Sequence, residues 1–375
     1  MTRSLTATMR RVNRLLRPAK LGKVARSVQS TLAGSLIKTS LAPLAALKPK
    51  TKRRKSAASK TGMTLGVVLK QLRLAQSYLP TTSASLPEDV STIPDGARYL
   101  ARTHRTAAGS RGYKIYLPAG QDRPTGMILM LHGCNQGPDD FALGTHMNAH
   151  AEKHGLAIVY PAQGGMDNAA SCWNWFKPDN QARGKGEPAL LASLARKLMR
   201  EHGLGRDEVF VAGLSAGGAM AAILADVYPD VFSAAGIHSG LARGSARNVL
   251  SAMSAMRSGG TALGSPVAPA AALARRIIFH GDSDSTVHPS NATTIVISAL
   301  GEDAAPAKVI RRSARGRSYA RSDYADADGT VRLELWMLEG AGHAWSGGKP
   351  AGSYTEPSGP DASAEMVRFF LEKSA

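Results

Sequence analysis

The chain has 375 residues, 43% of them hydrophobic, which is enough for one large α/β domain or for two small ones. Its net charge of +19 comes from one end, because residues 1–87 hold 18 Lys or Arg and no Asp or Glu, and the rest holds 29 basic and 28 acidic side chains. The charge therefore does not indicate a nucleic-acid-binding surface on the folded domain, and no uncharged apolar run is long enough to span a membrane.

The basic N-terminal segment, residues 1–90, differs in composition from everything that follows it. Its Lys and Arg residues are interleaved with Ala, Ser, Thr and Pro, so it cannot bury enough apolar surface to offset the entropy of ordering. We predict a disordered extension, either a solvated arm or one that contacts an anionic polymer, a membrane, a nucleic acid or a granule surface. A standard export signal is not predicted, because residues 27–37 are uncharged but polar and more charge follows Arg10 and Arg11.

Short β-rich runs alternate with helical patterns from about residue 100 to the end of the chain. The predicted strands are 113–117, 127–131, 156–160, 209–214, 232–238, 276–279 and 331–338. The predicted helices are 139–154, 188–202, 216–227, 290–300 and 362–373. This alternation predicts one α/β domain over residues 100–375, with a doubly wound, mostly parallel sheet whose site lies outside the carboxyl ends of the strands. Residues 241–273 show no strand pattern and are interpreted as an insertion over the site or a surface loop.

Ser215 is the predicted nucleophile. It lies in G-L-S-A-G, between the apolar strand 209–214 and the apolar helix 216–227. A G-x-S-x-G pattern alone is weak evidence in a chain with 38 Gly, but a strand-to-helix turn exposes the hydroxyl, and its crowding favours Gly213 and Gly217. The alternative is a Gly-rich nucleotide-binding turn, and neither G-x-G-x-x-G nor a Lys-containing phosphate loop occurs here.

A histidine and an acid follow Ser215 in the chain order that a Ser-His-Asp triad on such a sheet requires. His343 comes after the last long strand and is flanked by small residues, so it is the predicted general base. Two aspartates after strand 276–279 compete for the orienting role. The spacing of Asp284 and Val287 after His280 and Gly281 is similar to the H-G-x-x-D-x-x-V motif that recurs in α/β-hydrolases. Asp282 is better placed to cap a turn.

Two backbone N–H groups are predicted to form an oxyanion hole. One belongs to Ala216, at the start of the helix after the nucleophile, and the other to Cys134, in the loop after strand 127–131. Cys134 would act through its main chain, and neighbouring His132 is expected to be structural.

With these segments assembled, the chain resembles the poly(3-hydroxybutyrate) depolymerase family, which includes feruloyl and acetylxylan esterases. The resemblance rests on five motifs in order: H-G-C-N-Q at 132–136, S-C-W-N-W-F at 171–176, G-L-S-A-G-G-A-M at 213–220, H-G-D-S-D-S-T-V-H-P at 280–289 and G-H-A-W-S-G-G at 342–348. It runs from about residue 110 to the C-terminus and omits the basic segment. It implies an α/β-hydrolase that cleaves esters without a metal or cofactor and is extracellular or periplasmic, although a cytoplasmic location stays open because no export signal is evident.

The resemblance also implies roles for two cysteines and three tryptophans. The spacing of Cys134 and Cys172 leaves a disulfide and two free thiols equally open, and the resemblance favours a disulfide beside the site. Trp173, Trp175 and Trp345 all fall within the shared motifs. They either form an apolar wall that binds substrate or pack in the core.

The leading hypothesis is therefore a serine esterase acting on poly(3-hydroxybutyrate) or hydroxyalkanoate oligomers. A feruloyl or acetylxylan-type carbohydrate esterase is the alternative within the same chemistry. A hydrolase-like domain that only binds granules or polyanions is the alternative from another class. The sequence predicts no oligomeric state.

Overall fold

The computed structural model describes residues 93–106, 109–164, 167–261 and 273–372. The basic segment, predicted to be a disordered extension over residues 1–90, lies outside the described residues. All described residues belong to one compact unit, Ser83–Ala375. Among them, no helix combines the length and apolar character needed to cross a membrane.

A ten-stranded sheet runs through this unit. Its strands are β1 (Arg98–Thr106), β2 (Gly109–Leu117), β3 (Gly126–Leu131), β4 (Leu156–Pro161), β5 (Val209–Leu214), β6 (Ala234–His238), β7 (Arg275–Gly281), β8 (Lys308–Ala314), β9 (Arg317–Ala325) and β10 (Val331–Leu338). Their order across the sheet is β1-β2-β4-β3-β5-β6-β7-β10-β9-β8. The six central strands from β4 to β10 are parallel, and antiparallel strands flank them on both sides. A separate two-stranded ribbon pairs β11 (Trp345–Ser346) with β12 (Thr355–Glu356).

Within the described residues, seven α-helices cover the two faces of the sheet. They are α1 (Pro138–Thr145), α2 (Met147–His154), α3 (Gly186–His202), α4 (Ala216–Val227), α5 (Val249–Ser258), α6 (Ser290–Leu300) and α7 (Ala362–Leu371). One core cluster joins α3, α4, α5 and α6 to one face, and a second joins α1, α2 and α7 to the other. Neighbouring residues of β5 show the alternation, because Val211 packs in the first cluster and Phe210 and Ala212 in the second.

The prediction of an α/β fold with a mostly parallel sheet covered on both faces is confirmed, and the central strands are wholly buried as their apolar runs predict. Three elements differ from the prediction. The predicted helix 139–154 is two helices, since His146 takes a left-handed conformation between them. Strands β1, β8 and β9 were not predicted because these outer strands are polar and at most partly buried along most of their length. Helix α5 lies in the segment 241–273, for which no element was predicted, and residues 262–272 of that segment lie outside the described part.

The parallel strands place the loops after β3, β5, β6, β7 and β10 at one edge of the sheet. These five strands are consecutive neighbours in the strand order, so their carboxyl ends form one continuous row. This edge is the crevice position at which open α/β sheets bind ligands. The residues predicted to carry chemistry follow β3, β5, β7 and β10.

Candidate active site

The turn that carries Ser215 is strained. Ser215 lies between β5 and α4 with φ 56° and ψ −117°, a conformation that non-glycine residues rarely adopt. Its backbone N–H donates to the carbonyl oxygen of His238, at the end of β6, at 2.8 Å. A short side chain held on such a turn projects from the sheet edge rather than packing along the strand.

Glycines permit the close packing around this turn. A Cβ atom on Gly213 would overlap the backbone of Gly217, and one on Gly217 would overlap the carbonyl groups of Leu131 and His132. The strand-to-helix turn and the end of β3 therefore pack backbone against backbone. The prediction that crowding favours glycine at positions 213 and 217 agrees with these contacts.

The Ser215 side chain is largely enclosed but its Oγ makes no hydrogen bond to another described group. The residue is 8% exposed. Ala216 is the first residue of α4, so its N–H has no partner within the helix and is available to a developing negative charge. A Cβ atom on Gly133 would lie 3.7 Å from Ser215 Cβ, which places the loop containing Cys134 beside the nucleophile position.

Asp284 is held by backbone and side-chain donors in the loop after β7. Its Oδ1 accepts hydrogen bonds from the backbone N–H groups of Thr286 and Val287 at 2.9 and 2.8 Å. Its Oδ2 lies 2.7 Å from His343 Nδ1 and 3.5 Å from His280 Nε2. Every carboxylate oxygen thus has a donor, which lets a wholly buried side chain remain ionised.

His343 is oriented by that carboxylate. Because the ionised Asp284 Oδ2 can only accept, His343 Nδ1 carries a proton, and in the neutral imidazole the lone pair is therefore on Nε2. The imidazole is 11% exposed, so it borders the surface while its partner is buried. His343 and Asp284 are thus in direct contact, whereas no hydrogen bond joins His343 to Ser215 among the described residues.

Asp282 has a different environment from Asp284. Its Oδ1 accepts from the backbone N–H of Gly340 at 2.7 Å and from the hydroxyl of Ser283 at 3.0 Å, and the residue is exposed. Asp282 thus ties the loop after β7 to the loop after β10, and no hydrogen bond or ion pair joins it to His343 in the described part of the chain.

Burial and charge shift the pKa values of the ionisable groups at this edge. Burial raises the pKa of Asp284, but the His343 hydrogen bond and charge and the Val287 N–H outweigh it, so the pKa lies below its ordinary value. Burial lowers the pKa of His280, and burial with the nearby His280 and His343 lowers the pKa of His238 to about 3. His238 and His280 are therefore neutral imidazoles near neutral pH, beside an ionised carboxylate.

The loop after β3 is held by a disulfide and a glutamine. Cys134 and Cys172 form a disulfide with their Cα atoms 4.3 Å apart. Gln136 Oε1 accepts from the backbone N–H of Gly133 at 3.0 Å, and its Nε2 donates to Asp140 Oδ2 and to the Ser353 carbonyl at 2.9 and 3.0 Å. The loop that carries the predicted oxyanion donor is thus fixed at both ends.

The three tryptophans predicted as substrate-binding residues or core residues are all buried. Trp173, Trp175 and Trp345 are at most 5% exposed. Trp173 Nε1 donates to the carbonyl oxygen of His132 at 3.1 Å, and Trp345 Nε1 donates to the hydroxyl of Ser363 at 3.1 Å. Their rings are enclosed by protein, which favours the packing interpretation over an exposed apolar wall.

Two residues at this edge were not singled out from the sequence in the roles they take. His238 contacts Ser215 through its carbonyl oxygen, and its ring lies against Trp345. Gln136 fixes Gly133. The signal for both was their position near the carboxyl end of a predicted strand, since His238 ends strand 232–238 and Gln136 lies in the loop after strand 127–131; this by itself does not distinguish them from structural polar residues.

The described ranges contain no group of three or more His, Cys, Asp or Glu side chains arranged to hold a metal ion.

Comparisons with known proteins give the family. The family model described as esterase PHB depolymerase matches residues 111–318, which include Ser215 and Asp284 and end before His343. Poly(3-hydroxyalkanoate) depolymerase C of Paucimonas lemoignei is 29% identical over 243 residues, 61% of this chain and 57% of the relative. Feruloyl esterase B of Thermothelomyces thermophilus is 34% identical over 139 residues, 37% of this chain and 47% of the relative. The chain thus spans about half the length of these relatives.

A solved structure supports the fold assignment. Acetyl xylan esterase from Aspergillus awamori superposes with a TM-score of 0.57 at 20% sequence identity, covering 73% of this chain and 98% of that one. At this identity the likeness concerns the fold alone. Because the family model matches more than half of the 375 residues, the protein belongs to the esterase PHB depolymerase family.

Proposed function

We propose that this protein is a serine esterase in which Ser215, His343 and Asp284 form the catalytic triad. The observation that carries the proposal is the 2.7 Å contact between His343 Nδ1 and Asp284 Oδ2, at the sheet edge where Ser215 occupies its strained turn. Membership of an esterase family supports the same assignment.

In the acylation step, Ser215 Oγ attacks the ester carbonyl carbon while His343 Nε2 takes the hydroxyl proton. The negative charge on the former carbonyl oxygen is stabilised by the N–H groups of Ala216 and Cys134. The bond to the alcohol oxygen then breaks, and Nε2 returns the proton to that oxygen. Asp284 keeps the imidazole in the tautomer this requires and stabilises its positive charge.

In the deacylation step, water attacks the acyl group on Ser215 while His343 takes its proton. Collapse of this second intermediate releases the carboxylic acid and returns the proton to Ser215. The Ser215–His343 hydrogen bond, which is absent here, forms when substrate occupies the site, since catalytic hydrogen bonds commonly tighten in the substrate complex.

For the substrate we propose poly(3-hydroxybutyrate) or hydroxyalkanoate oligomers, with feruloyl or acetylated polysaccharide esters as the alternative. The names of the relatives support both, because one is a poly(3-hydroxyalkanoate) depolymerase and another is a feruloyl esterase. For Trp173 and Trp345 we propose a supporting role, in which they brace the loops that carry His132 and His343.

The test is a hydrolysis panel with the wild-type chain, Ser215→Ala and Ser283→Ala. Ser283 precedes Asp284 and is exposed, and its hydroxyl donates to Asp282, so it is a matched serine at the same edge. We expect Ser215→Ala to lose p-nitrophenyl ester turnover with its fold intact and Ser283→Ala to keep it. Turnover unaffected by Ser215→Ala would reject the site.

The same panel decides the substrate and the class of function. Hydroxybutyrate oligomers should be cleaved with the highest kcat/KM, and preference for feruloyl esters or acetylated xylan would favour the alternative. A chain that binds granules or polyanions but cleaves no ester would instead be a binding protein.

We propose that the protein acts in an oxidising compartment, extracellular or periplasmic. The Cys134–Cys172 disulfide supports this, since disulfides are rare in reducing compartments. Thiol labelling of protein taken directly from separated cell fractions should find both cysteines blocked outside the cytoplasm. Finding the protein in the cytoplasm with two free thiols would reject the proposal.

We also propose that the basic segment binds an anionic surface or polymer. The proposal is supported by 18 basic and no acidic side chains in residues 1–87. Retention of the whole chain on an anionic polymer should fall steeply as salt rises. Absence of retention at low salt would contradict it.

A further inference from the structure

His238 contacts the Ser215 turn through its backbone. It ends β6, which lies between β5, the strand before Ser215, and β7, the strand before Asp284. Its carbonyl oxygen accepts the hydrogen bond from the Ser215 N–H at 2.8 Å. Strand β6 thereby fixes the strained turn.

The side chain of the same residue holds the loop that carries His343. His238 Nε2 lies 3.0 Å from the backbone N–H of Ser346, three residues after His343. The imidazole is stacked between two rings, Phe279 at 5.8 Å and 12° and Trp345 at 5.2 Å and 24°. It is wholly buried, so neither contact competes with water.

This geometry specifies the protonation of His238. A backbone N–H can only donate, so Nε2 must be an unprotonated acceptor, and the proton of the neutral ring lies on Nδ1, 3.2 Å from the Ser239 hydroxyl. Burial and the neighbouring His280 and His343 keep the pKa of His238 at about 3, which preserves this state near neutral pH.

We propose that His238 is a positioning residue that aligns Ser215 with His343, through its carbonyl oxygen on one side and its Nε2 on the other. The inference rests on the proposed function. A ring that merely filled space between Phe279 and Trp345 would not need a hydrogen-bond acceptor facing Ser346. That acceptor is what an ordinary core aromatic residue cannot supply.

Two substitutions separate the acceptor from the ring. His238→Phe keeps an aromatic ring and removes the acceptor, whereas His238→Gln loses the stacking ring and offers an amide oxygen near the Nε2 position. Phe210→Leu is the control for lost aromatic stacking, because Phe210 stacks on Phe370 at 4.9 Å and lies five residues before Ser215, near the start of β5.

The rate of covalent labelling of Ser215 by a fluorophosphonate and the split between kcat and KM are the readouts. For His238→Phe we expect both labelling and kcat to fall about 10- to 100-fold with KM unchanged, because misplacing a catalytic pair slows chemistry without weakening binding. His238→Gln should stay within about threefold of wild type, and Phe210→Leu should lose stability but keep its rates.

The outcomes distinguish this inference from the proposed function. A wild-type chain that does not label at Ser215 would contradict the proposed function itself. If the wild-type chain labels at Ser215, either of two results would overturn the positioning role. One is that His238→Phe labels as fast as wild type, and the other is that His238→Gln labels as slowly as a folded His238→Phe. Nitrogen NMR of wild-type His238 gives a test that needs no variant: an unprotonated Nε2 at neutral pH is expected, and a protonated Nε2 would reject the inference.

Discussion

The two halves of the candidate site are held by different means. Ser215 is positioned by backbone: a strained turn, the glycine contacts of Gly213 and Gly217 and a main-chain hydrogen bond to β6. His343 is positioned by a side chain, the buried carboxylate of Asp284. A serine has one side-chain torsion to control, so a rigid backbone is enough, whereas an imidazole has two torsions and two tautomers and needs a partner on its far nitrogen.

This difference predicts different consequences of mutation on the two sides. Changes at the acid and base should remove activity while leaving most contacts of the fold intact. Changes around the Ser215 turn should reduce the free energy of unfolding first, because that turn is built from the packing of three strands. The predictions below test this contrast from the largest expected effect to the smallest.

The largest effect is expected for Asp284→Asn. The amide cannot hold His343 in the tautomer that accepts a proton from Ser215, so kcat/KM for a p-nitrophenyl ester should fall about 10⁴-fold with a small change in melting temperature.

Asp282→Asn is the matched control, because Asp282 lies two residues away and contacts Gly340 rather than His343. We expect it to retain activity within about tenfold. If the two substitutions cost the same activity, Asp284 is not the acid of the triad.

On the nucleophile side, the double substitution Cys134→Ala and Cys172→Ala should lower the free energy of unfolding by about 2–4 kcal/mol, the usual worth of a disulfide closing such a loop. Urea unfolding of the variant, and of wild type with and without a dithiol reductant, measures this. An unchanged urea midpoint in both cases would mean that backbone packing alone holds the loop after β3.

Gly217→Ala should lower the free energy of unfolding by about 1–3 kcal/mol, because its Cβ would overlap the Leu131 and His132 carbonyl groups, which belong to backbone and cannot rotate away. Gly112→Ala is the control, since a Cβ there meets nothing within 4 Å. Equal melting temperatures for the two variants would contradict the backbone-packed description of this side.

The effect that is smallest near neutral pH, and grows as pH falls, concerns the junction of the two sides at His238. Unfolded His238 binds a proton near its ordinary pKa of 6.5, whereas the folded residue does so only near 3. Between these values the unfolded state binds more protons, so the free energy of unfolding should decrease as pH falls from about 6.5 toward 3.

His238→Phe should make that decrease shallower, because the phenyl ring does not titrate. The charged and titratable groups around His238 are His280, His343 and Asp284, and they remain in the variant. Melting curves across this range measure the slopes, and identical slopes for wild type and variant would contradict a neutral, buried His238.

The sequence predicted the central sheet because its information is local. Strands β3, β4 and β5 are continuous apolar runs, and the 216–227 helix was predicted with the bounds that the structure has. Strands β1, β8 and β9 were missed because a polar outer strand is stabilised by hydrogen bonds to its neighbour, which the segment itself does not encode.

The sequence by itself determined the residue types and chain order of the candidate site: a serine in a glycine-flanked turn, then an aspartate and a histidine at strand ends. Only the tertiary structure decided which partners meet. It joined Asp284 rather than Asp282 to His343, buried the three tryptophans, and brought the His238 carbonyl to Ser215 and its ring to Ser346. The physical reason is that a strand order and a hydrogen-bond partner depend on residues far apart in the chain, whereas a strand, a helix and a turn depend on neighbours.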